Sequence, residues 1–112
     1  MPFVKRKVGK MTIVSMTLIR PQSGEVWGEL QKHIKNACKI AAKHGAENVT
    51  VLATVIGGPA TNTVGILATS EDWAKYGQVQ QAMLGDPKMR ALMLEAGKLA
   101  TWETYVSQTI EV

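Results

Sequence analysis

The chain is predicted to fold as an α+β domain, because strand and helix patterns follow one another along it in a specific order. The order is strand, helix, strand, strand, helix with an extension, and strand. A short glycine-rich stretch joins the two middle strands, as in a hairpin. Two βαβ units joined in this way form a ferredoxin-like split βαβ, with a four-stranded antiparallel sheet and helices on one face.

The first strand and the first helix are predicted from two different periodicities. Residues 12–20, TIVSMTLIR, alternate between two faces as a strand does, and this strand ends at Pro21. After the turn PQSG, apolar residues recur at helical spacing, namely Trp27, Leu30, Ile34, Ala37, Cys38 and Ala41. Lys43 and His44 suit the negative end of a helix dipole, and Gly45 can adopt the left-handed conformation that ends a helix.

The glycine-rich stretch VIGGPATNTVG at 55–65 has two interpretations, a phosphate-binding loop or a hairpin connection. Its neighbours on both sides are β-branched runs, NVTVLATVIG and TNTVGILAT. A phosphate loop would instead lead from a strand into a helix N-terminus, with a lysine and a Ser or Thr after the last glycine. Because those features are missing, the stretch is predicted to connect the two middle strands.

The second helical region is predicted to contain a break. Thr69 or Ser70 is a candidate N-cap, and one stripe of the helix is formed by Trp73, Tyr76, Gln80, Met83 and Leu84. Gly85 interrupts the pattern, and Asp86 followed by Pro87 restarts it, since Asp caps helices and Pro suits the first helical position. The last run, TWETYVSQTIEV, has the alternation and composition of a strand.

Composition and charge indicate one folded domain with a basic N-terminal segment. The 112 residues are 46% hydrophobic and 20% charged, as in ordinary globular domains. Residues 1–10 carry four basic side chains and no acidic one, which accounts for the formal net charge of +4. We predict that residues 1–10 form a flexible segment and that residues 11–112 form the single domain.

The same observations argue against several partners. No stacking aromatic residues accompany the basic cluster, and no run of about 18 apolar residues occurs, so neither a nucleic acid nor a membrane is an expected partner. The expected location is the cytoplasm. Cys38 is the single cysteine, which excludes a disulfide or a multi-cysteine metal site within one chain, and it is predicted to be a buried, inert thiol.

The sheet face turned away from the helices is predicted to carry no charge. Its expected members are Ile13, Ser15, Thr17 and Ile19, then Thr50, Leu52, Thr54 and Ile56, then Gly65 and Leu67. A solvated face would carry Lys, Glu and Arg, whereas mixed Thr, Ile and Leu suits burial against another sheet. Since a two-fold axis lets identical faces meet, the sequence predicts a homodimer.

Three segments carry a resemblance to a known family: MTIVSMTLIRPQSGEVWGELQ, GILATSEDWAKYGQVQQAMLGDPKMRALM and TWETYV. Over roughly residues 11–112 the pattern resembles the dimeric α+β barrel proteins, and within them the antibiotic-biosynthesis monooxygenase-like and NIPSNAP-like branch. The resemblance implies two sheets that close into a barrel with the helices outside. Members include heme-degrading monooxygenases, cofactor-free quinone-forming monooxygenases, polyketide cyclases and proteins without assigned activity.

The residues of two of these chemistries do not carry over to this chain. Heme-degrading members look for an Asn on the first strand and a His on the helix after the third strand, and this chain has only the accompanying Trp, Trp73. Cyclase-like members place His on the first or last strand, where this chain has Met16, Trp102 and Tyr105. Both chemistries are therefore disfavoured, and no heme, metal or other cofactor is expected.

Five side chains are the candidate functional residues. His33 is the candidate catalytic base, because imidazole suits proton transfer near neutral pH; it lies 11 residues, or about 16 Å along a helix, from His44. Tyr105 is the second catalytic candidate, since a phenol can donate a hydrogen bond inside a cavity. Met16, Trp73 and Tyr76 are the candidate ligand-binding residues. The structural alternatives are a boundary histidine with a polar neighbour for His33, a barrel-lining or interface tyrosine for Tyr105, and ordinary core packing for Trp73 and Tyr76.

Two functional classes remain open. The preferred one is a homodimeric α+β barrel protein that binds a small apolar or aromatic molecule, with cofactor-independent monooxygenase-like chemistry as its enzymatic form. The alternative is a non-catalytic structural or interaction module, in which the barrel serves dimerisation. The sequence does not decide whether the protein is an enzyme.

Overall fold

The computed structural model describes residues 12–55, 57–58 and 62–112, so the basic segment 1–10 and Ile56 lie outside the described residues. The elements in chain order are β1 (Ile13–Pro21), a short 3-10 turn (Gly24–Val26), α1 (Trp27–Lys43), β2 (Glu47–Ala53), β3 (Val64–Ser70), α2 (Trp73–Leu84), α3 (Pro87–Ala96) and β4 (Ala100–Gln108). The four strands form one antiparallel sheet in the order β2-β3-β1-β4. This arrangement confirms the predicted ferredoxin-like α+β fold.

β1 lies in the middle of the sheet, between β3 and β4. Its register with β3 runs from Ile13 opposite Ser70 to Ile19 opposite Val64. Its register with β4 runs from Ile13 opposite Gln108 to Pro21 opposite Ala100. The first and last strands of the chain therefore pair along the whole length of β1.

The helix boundaries follow the predicted signals, with one exception. Gly45 has a φ of +107° directly after α1, and the Asp86 side chain accepts from the backbone amide of Lys88 where α3 begins. The N-cap of α2 is Asp72, which accepts from the amide of Lys75 at 2.8 Å. The prediction of Thr69 or Ser70 as this cap was wrong, because β3 stays paired through Ser70 and the chain leaves the sheet only after it.

The stretch between β2 and β3 is a hairpin connection, as predicted. The amide of Thr54 donates to the carbonyl of Thr63 at 3.0 Å, and the amide of Asn62 donates to the carbonyl of Thr54 at 3.2 Å. Gly58 has a φ of +57°, a left-handed conformation that glycine adopts readily. Along the described residues, the chain thus leads from β2 into its antiparallel neighbour β3.

The hydrophobic core lies between the sheet and α1, with a second cluster between α1 and α3. The first cluster contains Ile19, Leu30, Ile34, Val64 and Ala100. The second contains Ala37, Leu92 and Ala96. α1 contributes to both because its buried residues recur at helical spacing along one stripe. None of the described helices is both long and apolar enough to span a membrane.

The face assignment predicted for β1 was wrong. Ile13 and Ile19 are fully buried on the side of the helices, and the register places Ser15 and Thr17 on that same side. Val14, Met16 and Leu18 lie on the opposite side. Both faces of β1 carry large apolar residues, so alternation alone could not identify the face that the helices cover.

We call the side away from the helices the outer sheet face. It includes Val14, Met16, Leu18, Arg20, Thr50, Leu52, Gly65, Leu67, Thr69, Glu103 and Tyr105. Thr50, Leu52, Gly65 and Leu67 lie on this face as predicted, whereas β2 ends before Thr54 and Ile56 lies outside the described residues. The face is not wholly uncharged, because Arg20 Nη1 and Glu103 Oε1 form an ion pair at 2.6 Å. Met16 lies across Gly65, where an added Cβ would come within 2.9 Å of the Met16 Sδ.

Candidate functional site

A cavity of about 500 Å³ lies between the sheet and the helices. Part of the space is left by β1, because the small residues Ser15 and Thr17 lie between the larger, fully buried Ile13 and Ile19 on the same strand face. Ala68 on β3 and two small residues of α1 also line it. Small side chains on facing elements leave room that larger ones would fill. The cavity is open to solvent on one side, because the lining residues Thr104 and Leu84 are exposed.

The sheet side of the cavity carries hydroxyl groups. Thr17 Oγ1 and Thr104 Oγ1 lie 2.9 Å apart and share a hydrogen bond in which either can donate. Ser15 Oγ donates to the carbonyl of Ala68 at 3.5 Å, a long contact. The described residues that line the cavity include no Asp, Glu, Lys, Arg or His. The cavity therefore suits an uncharged ligand better than an ionic one.

The helix side of the cavity is apolar and adaptable. Met83 of α2 and Met89 and Met93 of α3 line it, and Trp102 of β4 adds an aromatic surface. The Trp102 Nε1 donates to the carbonyl of Ala96 at 3.4 Å, which holds the indole between α3 and the sheet. Unbranched methionine side chains fit irregular apolar shapes, so this wall can adjust to a bound molecule.

Tyr76 is the sequence-predicted ligand-binding residue that lines this cavity. Burial raises the pKa of its phenol above the ordinary tyrosine value, so the group stays protonated and can donate a hydrogen bond at neutral pH. Its ring packs edge-on against Trp73, with ring centroids 6.0 Å apart. Trp73 itself is 47% exposed, and its Nε1 donates to Gln108 Oε1 at 2.9 Å.

The other predicted site residues lie elsewhere. His33 lines a groove between α1 and α3. Met16 and Tyr105 lie on the outer sheet face, where Tyr105 is 51% exposed and its hydroxyl donates to Glu103 Oε2 at 3.3 Å. Within one chain the structure does not bring His33 and Tyr105 into one site, and their catalytic roles stay predictions.

Thr17 and Thr104 are among the cavity residues that sequence reasoning missed. They are 87 residues apart in the chain and meet only through the pairing of β1 with β4. One local signal was available, because two small polar residues between Ile13 and Ile19 interrupt an otherwise apolar strand face. The Thr104 contact itself could not be found without the strand register.

Two further groups of polar or reactive side chains lie outside the cavity lining. His44 Nε2 lies 2.8 Å from Asp86 Oδ2, and Lys43 Nζ lies 3.9 Å from the same oxygen. Burial raises the pKa of the Cys38 thiol, which disfavours the reactive thiolate. In the described part of the chain, no three His, Cys, Asp or Glu side chains are grouped as metal ligands would be.

Comparisons with known proteins agree with the fold. No protein-family model and no curated protein matches the chain. Among solved structures, a NIPSNAP family protein from Agrobacterium tumefaciens matches with a TM-score of 0.76 and 15% identity, over 95% of this chain and 92% of its own. SnoaB from Streptomyces nogalater, a cofactor-independent oxygenase, matches with a TM-score of 0.69 and 14% identity, over 90% and 95%.

A third solved structure, an uncharacterized NIPSNAP domain protein from Burkholderia xenovorans, matches with a TM-score of 0.70 and 16% identity, over 89% of this chain and 94% of its own. The structural matches confirm the resemblance drawn from the sequence at the level of fold. At such low identity the activity of a matched protein does not transfer with the fold, so the chemistry of this chain has to be argued from its own residues.

Proposed function

We propose that this chain, which has the fold of NIPSNAP family proteins and SnoaB, is a homodimeric α+β barrel protein that binds a small apolar or aromatic molecule in the helix–sheet cavity. The observation that carries the proposal is the uncharged cavity of about 500 Å³ itself. That volume falls within the range of about 300–1,000 Å³ that is usual for small-molecule sites. Methionines and Trp102 contact the apolar body of the ligand.

The polar groups of the cavity orient the ligand. In the Thr17–Thr104 pair one hydroxyl donates to the other, so the pair keeps one proton to donate and lone pairs that accept. The phenol of Tyr76 adds a second donor from the helix side. An aromatic ligand that carries a hydroxyl or a carbonyl oxygen can form hydrogen bonds with these hydroxyl groups without bringing a charge into the cavity.

The enzymatic form of the proposal is a cofactor-independent monooxygenase-like reaction. In such a reaction the substrate itself reduces dioxygen, as when 1-naphthol and O₂ give 1,4-naphthoquinone and water. One oxygen atom enters the ring, and the other leaves as water with two hydrogens of the substrate. The task of the protein is then to bind the ring and to hold its oxygen by the hydroxyl groups described above.

The homodimer is supported by the outer sheet face. Leu52 is 42% exposed and Tyr105 is 51% exposed, next to partly exposed Met16, Leu18 and Leu67. A contiguous apolar surface of this kind usually marks an association site. A two-fold axis would bring two such faces together and place Met16 and Tyr105 inside the barrel.

Binding of 1-naphthol, followed by tryptophan fluorescence, tests the cavity. We expect saturable binding to the wild type and about tenfold weaker binding to Met93→Trp, because the larger ring occupies the cavity. Leu94→Trp is the matched control, since Leu94 is 72% exposed on the same helix, and it should bind like the wild type. Absence of saturable binding to the wild type would favour the interaction-module alternative.

Formation of 1,4-naphthoquinone tests the enzymatic form separately. We expect turnover of bound 1-naphthol under air above the rate without protein, and its loss in Met93→Trp. Binding without turnover would leave a ligand-binding protein and exclude an oxygenase acting on this substrate.

A further inference from the structure

A second concave surface lies on the helical layer, away from the helix–sheet cavity. It is the α1–α3 groove, with a volume of about 650 Å³, lined by His33, Asn36, Lys39, Ile40, Lys43, Lys88, Ala91, Leu92 and Glu95. Its lining shares no residue with that of the cavity. His33, which the sequence nominated as a functional residue, lies here.

Charge is distributed unevenly along this groove. The C-terminal end of α1 lies near the N-terminal end of α3, since Lys43 Nζ is 3.9 Å from Asp86 Oδ2. The lysines Lys39, Lys43 and Lys88 therefore gather at this end of the groove. His33 and Glu95 belong to the other end, and Glu95 Oε2 is 3.3 Å from the ammonium of Lys98.

Asp86 is the acidic group nearest to the lysine end, and its single negative charge offsets only part of the positive charge of the three lysines there. Its Oδ2 is bonded to His44 Nε2 at 2.8 Å, and its Oδ1 accepts from the amide of Lys88. Its side chain is only 7% exposed, whereas that of Lys43 is 64% exposed. A ligand in the groove therefore meets ammonium groups and not this carboxylate.

The middle of the groove is apolar. Ile40 of α1 and Ala91 and Leu92 of α3 form its floor. Leu92 belongs to the α1–α3 core cluster and Ile40 packs against that cluster, so core packing fixes the floor of the groove. An apolar floor next to one cationic end matches a molecule with an apolar body and one anionic head.

The size of the groove indicates a small molecule. A stable protein–protein interface usually involves about 20–30 residues on each side. The groove is lined by nine residues, and its volume lies within the usual range of about 300–1,000 Å³ for small-molecule sites.

We propose that the α1–α3 groove binds a small amphipathic anion, with its carboxylate or phosphate head at Lys39, Lys43 and Lys88 and its apolar body on Ile40 and Leu92. This site does not depend on the proposed function of the helix–sheet cavity. Because the groove lies on the helical layer and the proposed dimer uses the outer sheet face, dimerisation leaves it accessible.

Amide chemical-shift mapping of the full chain tests the site with three ten-carbon probes: decanoate, decyl phosphate and decanol. We expect both anions to shift amides of residues 33–43 and 88–95 in a saturable manner, at least about tenfold more tightly than the neutral alcohol. Binding of both anions should weaken at high salt, because the contacts between their head groups and the lysines are exposed to solvent. Shifts confined to the cavity residues would overturn the proposal and leave the proposed function untouched.

Charge-reversal variants test the lysines. The double variant Lys39→Glu, Lys88→Glu should weaken decanoate binding by at least about tenfold, and Lys39→Gln, Lys88→Gln should weaken it less. Lys35→Glu is the matched control, because Lys35 is exposed on the same helix outside the groove, and it should bind like the wild type. Dispersed amide spectra verify folding, and equal affinity in the wild type and the double variant would refute the site.

Discussion

Asp86 shows how one residue can hold two elements together. Its Oδ1 caps the first turn of α3, and its Oδ2 is bonded to His44 at the end of α1. The hydrogen bond from His44, followed by that from the amide of Lys88, lowers the pKa of the Asp86 carboxyl below its ordinary value. The ionised form is thus favoured in the folded chain, and the joint between α1 and α3 depends on pH.

Asp86→Asn is expected to lower the free energy of unfolding at pH 7, because the charge-assisted contact with His44 is lost. The pKa of Asp86 is lowered in the folded chain. Its contribution to the free energy of unfolding is therefore complete above the unfolded pKa of about 3.9, and it disappears as the pH falls through the folded pKa. Urea unfolding at pH 7 and near pH 3 should therefore show a stability difference that shrinks in acid.

Glu95→Gln is the control for this prediction. Among the described residues Glu95 is an exposed carboxylate paired with Lys98, and exposed pairs of this kind contribute little stability. Its replacement should change stability slightly at either pH. A difference between wild type and Asp86→Asn that is the same at both pH values would contradict the prediction.

Residue-scale patterns predicted the end of α1 and the start of α3, but not the N-cap of α2 or the inner face of β1. Gly45, Asp86 and Pro87 act locally, through backbone conformation and capping, so their effects could be predicted from the sequence. The burial of Ile13 and Ile19 depends on which face α1 and α3 cover, and that is decided by packing between distant segments. Apolar residues on both faces of β1 left the sequence without a local signal.

At the scale of elements, β2 is an edge strand shaped by a bulge. Glu47 pairs with Thr69 and Thr50 pairs with Leu67, so three steps on β2 match two on β3. Asn48 lies in this bulge with a φ of +53°, and its Nδ2 donates to Thr69 Oγ1 at 3.0 Å. Such irregularity makes an exposed edge a poorer template for pairing with another chain.

Asn48→Val is expected to lower the free energy of unfolding by about 1–2 kcal/mol, because a β-branched residue resists the left-handed backbone conformation. Asn48→Gly should cost less, since glycine accepts that conformation and loses only the contact with Thr69. Urea unfolding of the three proteins at equal concentration measures both differences. Equal destabilisation by Val and Gly would indicate that the Thr69 contact, and not the backbone, accounts for the effect.

The cavity also belongs to the scale of elements, and this explains why the sequence predicted it only in part. Tyr76 was identified from the helical stripe on which it lies, whereas the Thr17–Thr104 pair requires two strands brought together from opposite ends of the domain. His33 was identified from the acid–base chemistry of its imidazole. The pocket that it borders is the α1–α3 groove, because the axial rotation of a helix is set by its packing partners.

At the scale of the whole molecule, the two sides of the sheet have different roles in the proposal. The helix side contains the core and the cavity, and the outer sheet face is expected to meet a second copy of the chain. Leu67 lies on the latter, opposite Met16 on β1 and Thr50 on β2. A charge introduced there would have to be buried in the proposed dimer.

Leu67→Lys is therefore expected to convert a dimer into a monomer, which sedimentation at micromolar concentration would detect. The wild type should sediment at twice the 12.2 kDa mass of one chain. Leu94→Lys, at an exposed position of α3, should remain dimeric. A wild type that sediments as a monomer would contradict the proposal that two outer sheet faces pair to form a barrel.

The pairing of β1 with β4 also has a consequence for synthesis on the ribosome. Of the four strands of the sheet, β1 is synthesised first, yet its partner along its full length, Ala100–Gln108, is synthesised last. At about 5–20 residues per second, the nascent chain waits on the order of seconds with one edge of its central strand unpaired. Ser15 and Thr17, which line the cavity, also make the unpaired β1 segment less apolar. The segment is therefore less prone to aggregate with a neighbouring nascent chain.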